Sequence, residues 1–156
     1  MNLLPYSLSA LVAFSGVIVG VVLALFAKEE MPTGKKYFPL IQKVLLIAIF
    51  ALLLNHFKAL LIVKLVAYSA LIFVLSRRMM FNLYPLFAVA FFLLGQGSRE
   101  LFTISTLVFL YGFPTGSMYV VRNRRMGLLK TLGKVSLRYA VFPVAAVVLQ
   151  LLYQLF

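Results

Sequence analysis

The sequence predicts an all-α integral membrane protein: a bundle of six short transmembrane helices with a basic amphipathic interfacial segment before the last. Three observations lead there. Of 156 residues, 64% are hydrophobic and only 12% are charged, where a soluble domain carries about twice that charged share. Long apolar runs recur along the whole chain. The charge is lopsided, with 15 Lys and Arg against 3 Asp and Glu for a net +12, and most of it falls in short connectors between the apolar runs.

The spans follow in order. The first covers about residues 6–27 and carries Gly16 and Gly20, small residues four apart that share a face and let another helix approach closely. A connector rich in helix breakers follows, with Pro32, Gly34 and Pro39. The second span, 40–55, holds Lys43. A turn through Asn55, His56, Phe57 and Lys58 leads to the third span, 59–75, which holds Lys64 and closes at Arg77 and Arg78. The fourth, 79–94, starts with Asn82 and Pro85. The fifth, 101–121, contains Gly112, Pro114 and Gly116, which predict a kink or an unwound turn. The sixth runs from 140 to 156. No linker divides the chain, so residues 1–156 form a single transmembrane domain.

Spans two, three, four and six hold only about 16 or 17 residues, roughly 25 Å of helix, the short end for crossing a bilayer. A variant layout makes the 40–75 hairpin re-entrant and leaves four full crossings.

Orientation follows from the cations. The first, third and fifth connectors carry three, two and six Lys or Arg, the second and fourth one each. With six crossings the three basic connectors share one side. The positive-inside rule makes that side cytoplasmic in a cell membrane and turns both chain ends outward.

The fifth connector holds Arg122, Arg124, Arg125, Lys130, Lys134 and Arg138 and no acid. Wound as a helix, it places Lys130, Lys134 and Arg138 on one stripe, with Leu128, Leu132, Val135 and Tyr139 opposite. That pattern describes an interfacial helix with cations toward anionic headgroups and its apolar side in the acyl boundary or against the bundle. The plainer use of the same charge is to fix topology.

Within the spans the polar residues are few. Lys43 and Lys64 lie near enough to helix ends for their stems to snorkel to the interface. Asn82 can bond between helices. His56, Ser98 and Glu100 fall at outer turns and form the only set from which a histidine-based acid–base site could be built. No carboxylate lies within a span, which argues against a proton- or cation-coupled carrier. The chain has no cysteine and a single histidine, so no metal site is expected. No phosphate-loop, nucleophile-elbow or dinucleotide motif occurs, and no cofactor is expected.

These readings give a non-enzymatic transport or membrane-complex component that engages anionic lipid or a small anionic solute through its basic face. The alternatives are an enzyme on a phosphorylated lipid headgroup, with Glu29 or Glu30 giving acid–base help, and a purely structural subunit. The expected partners are the lipid bilayer, its anionic lipids, and a second copy or a larger membrane complex with Gly16 and Gly20 as first contact. Nucleic acid is not among them, because the charge sits beside apolar spans.

Overall fold

The computed structural model describes residues 3–27, 34, 36–58, 60–76, 83–123 and 127–156, with the side chains of 73–76 left out. Among the described residues every regular element is helical: α1 (Leu3–Phe26), α2 (Phe38–His56), α3 (Leu61–Ser76), α4 (Tyr84–Leu94), α5 (Ser98–Arg122), α6 (Leu128–Tyr139) and α7 (Val141–Leu155). Two of these helices start at a proline. Pro39 and Pro85 each fall at the second residue of a helix, where a missing N–H costs nothing because it would have no intrahelical partner.

Four helical rods are long and apolar enough to cross a membrane: α1, α2, α5, and α6 with α7 taken together as Leu128–Leu155. Of the six expected spans, these four are matched by helices of that length, and the other two by shorter apolar helices. The short pair is α3 and α4, with 16 and 11 residues, and α2 at 19 residues is not short. Residues 77–82, which include Asn82, lie outside the described residues.

The core is built on α1 and α5. Gly16 and Gly20 on α1 meet Gly112 and Gly116 on α5, and each glycine seats the other helix's backbone. A Cβ at Gly16 would strike Phe109, one at Gly20 would strike Phe113, and one at Gly112 or Gly116 would strike the α1 backbone from Gly16 to Val21. Contacts therefore rise together along both helices, which makes the pair parallel. Ala10, Ala13, Val17, Val21 and Ala24 extend the closed face of α1, all at 0% exposure. Small residues at this spacing let two backbones touch and gain dispersion contacts along their length.

Two expectations change at this contact. The 112–116 segment is neither unwound nor broken, since α5 is helical from Ser98 through Arg122 with Pro114 inside. Pro114 removes a single donor, and the two flanking glycines are spent on close packing. Gly16 and Gly20 are covered by this chain's own α5, so they are not open to a second copy.

Around this pair the other helices alternate in direction. A tight turn at Gly95–Gly97 reverses α4 into α5. Tyr84 lies 4.7 Å from Tyr139 between ring centroids, Phe91 lies 5.5 Å from Phe142, and Gln96 bonds Gln150, so α4 and α7 run parallel. Asn55 meets Lys64 and Phe50 meets Tyr68, which makes α2 and α3 antiparallel. The α3 helix packs chiefly on α2 and stands at the margin. These directions mark reversals between α2 and α3, between α4 and α5, and between α5 and the α6–α7 rod.

The basic segment before the last helix also differs from expectation. Ala140 keeps right-handed helical angles between α6 and α7. The N–H of Ala140 donates to Ser136 at 2.8 Å, and that of Val144 donates to Ala140 at 3.2 Å. Pro143 has no N–H to give to Tyr139, which is one cause of the break. So α6 and α7 form one interrupted rod, where the sequence set the basic segment apart as an interfacial helix with its apolar side in the acyl boundary or against the bundle.

Candidate functional site

The α6 helix presents three faces. Thr131, Val135 and Tyr139 are buried, four residues apart, on the side that packs against α1 and α5. Lys130, Lys134 and Arg138 form a second, exposed stripe. Leu129 and Leu137 are 83% and 82% exposed and flank Gly133 on a third stripe. The apolar side facing away from the cations is thus used for internal packing, and a different apolar stripe is left uncovered.

Tyr139 closes the site from below. The Arg138 guanidinium lies 5.9 Å from its ring centroid, within cation–π range. Arg122, exposed at the end of α5, and Tyr119 also act on Tyr139 electrostatically. Arg124 and Arg125 lie outside the described residues, as do Glu29 and Glu30.

Behind Tyr139 the core holds a polar cluster that composition and spacing did not reveal. Tyr84 packs edge to face on Phe87, Tyr111 and Phe142 and tilted on Tyr139, and Phe87 packs edge to face on Tyr111, at 4.6 to 6.1 Å between centroids. The Thr115 hydroxyl donates to the Tyr111 carbonyl at 2.9 Å and accepts from Gln42 at 2.9 Å. Tyr84 also interacts with Thr115. The one available signal was tyrosine within apolar runs, since a phenol needs a partner when buried. No spacing in the sequence brings these tyrosines together.

The remaining candidates are scattered. Lys43 is exposed in the second turn of α2. Lys64 sits in the first turn of α3 and donates to Asn55 Oδ1 at 2.8 Å, a satisfied charge near a helix end. Thr103 and Thr106 bond back to carbonyls of their own helix, which leaves them no special role in α5. His56 packs edge-on against Phe57 at 5.4 Å.

Neither a known protein family, nor a curated protein, nor a solved structure matches this chain.

Proposed function

We propose that this chain is a multi-pass membrane protein, non-enzymatic, that engages anionic headgroups through the cationic stripe of α6 as a component of a transport or membrane-complex assembly. The single observation that carries this is the exposed stripe of Lys130, Lys134 and Arg138 set on an extension of an apolar rod. With α7 crossing from Leu155, Arg138 stands about 26 Å along the rod at 1.5 Å per residue, close to the far edge of a hydrocarbon core about 30 Å thick. Lys134 and Lys130 then follow at steps of about 6 Å, through the headgroup layer. Each cation near an anionic leaflet contributes on the order of 1 kcal/mol.

The layout proposed is six crossings with α3 and α4 as short members, which stand nearly upright while the bilayer thins around them. The parallel α1–α5 and α4–α7 pairs support it, because a six-crossing chain requires those directions. Basic connectors face the cytoplasm and both chain ends face out, following the Lys and Arg distribution. A free anionic solute shares the chemistry of a headgroup phosphate and binds at the same stripe if the protein is a carrier.

The test is lipid retention. The triple change Lys130→Gln, Lys134→Gln and Arg138→Gln should strip phosphatidylglycerol from the purified protein while thermal unfolding stays put. Unchanged phospholipid content would remove the reading. Flux of a small anion in proteoliposomes, lost in the same variant, would favour the solute over the headgroup.

A further inference from the structure

Seven glycines have neighbours that an added Cβ would meet, at 16, 20, 34, 95, 97, 112 and 116. Gly127, at the N-cap of α6, and Gly133 have none. Gly133 lies inside α6, it is exposed, and a Cβ added there would meet nothing within 4 Å. Glycine inside a helix is unfavourable relative to alanine, and nothing among the described residues offsets that cost at 133. The position is also patterned. Leu129, Gly133 and Leu137 fall one helical turn apart, so the glycine makes a notch between two exposed leucines. Lys130 and Lys134 stand on the neighbouring stripe.

From this we infer that the notch at Gly133 seats one anionic phospholipid, its upper acyl chain against Leu129 and Leu137 and its phosphate on Lys134, with Lys130 or Arg138 as second donor. The inference rests on the membrane reading above and sharpens it from diffuse attraction to a defined seat. Charge complementarity selects the occupant. A notch beside three cations, on a helix whose sequence holds no acid, suits an amphiphile with an anionic head, and a second copy of this chain would bring its own identical cations to the same place.

The test fills the notch without touching charge. Gly133→Leu should leave the fold intact, because leucine is the better helix former and meets open space. Full-length protein is purified in mild detergent, titrated with phosphatidylglycerol, and read by native mass spectrometry. The seat requires about a fivefold loss of the first bound lipid in Gly133→Leu, a smaller loss in Gly133→Ala, and an unchanged or raised unfolding temperature in both. If Gly133→Leu binds like the parent while the Lys130, Lys134 and Arg138 triple variant loses lipid, the seat is wrong and the electrostatic reading stands. If neither loses lipid, both fall. If Gly133→Leu alters the mass of the oligomer and not its lipid, the notch belongs to a partner helix and the inference is overturned.

Discussion

The Ser117 hydroxyl on α5 donates to the Gly20 carbonyl on α1 at 3.1 Å, across 97 positions of sequence. A side chain reaches another helix's backbone only where the two axes are unusually close. This bond therefore marks the point where Gly20 and Gly116 bring α1 and α5 together. In an apolar medium helix association rests on such contacts, because lipid supplies no hydrophobic drive between helices.

Gly20→Val should be among the most damaging single changes. Its added carbon would lie 2.8 Å from Phe113 Cα, and backbone cannot yield as a side-chain tip does. Overpacking of this kind costs about 1–3 kcal/mol or more. Unfolding in mixed micelles of graded denaturing detergent should show that loss, with Gly116→Val similar. Gly133→Ala should instead gain up to about 1 kcal/mol from helix propensity. Equal tolerance at Gly20 and Gly133 would contradict the packing described.

The Gln42–Thr115 bond supplies a second test. Thr115→Val removes the acceptor and leaves the Gln42 amide unsatisfied beside the core. Interhelical side-chain bonds in membrane proteins contribute about 0.6 kcal/mol on average and up to about 1.7. The single change should cost within that range, and Gln42→Leu together with Thr115→Val should cost less than the sum of the two. Simple additivity across the cycle would mean the bond contributes nothing.

Lys64 is expected to behave as an interfacial residue. It occupies the first turn of α3 and bonds Asn55, so Lys64→Met should change stability by less than about 1 kcal/mol, the scale of one exposed hydrogen bond. A loss of several kcal/mol would reveal a deeper position than its place in the turn implies.

Sequence patterning shows the helical class, the positions of the polar connectors and the small-residue face of α1. It also exposes the cationic stripe, because a four-residue spacing survives any packing. The use of Gly112 and Gly116 was hidden. Glycine flanking proline reads as a helix break, and only the partner's Gly16 and Gly20 turn the same residues into a close contact. The continuity of α6 with α7 was hidden as well, since the charge of 130–138 suggests a helix outside the apolar run. Tyr84, Tyr111 and Tyr139 converge only through tertiary packing, which no local period encodes.

The central claim is that the connector at Lys36 and the stripe at Lys130 share one side of a membrane, opposite the turn at Lys58. The chain has no cysteine, so single cysteines at Lys36, Lys58, Lys130 and Phe156 give clean reporters for an impermeant thiol reagent on intact cells. The account expects Lys58→Cys and Phe156→Cys to react at once, and Lys36→Cys and Lys130→Cys to react only after permeabilisation. Immediate labelling at Lys130→Cys, or protection of Lys58→Cys together with Lys36→Cys, would contradict it.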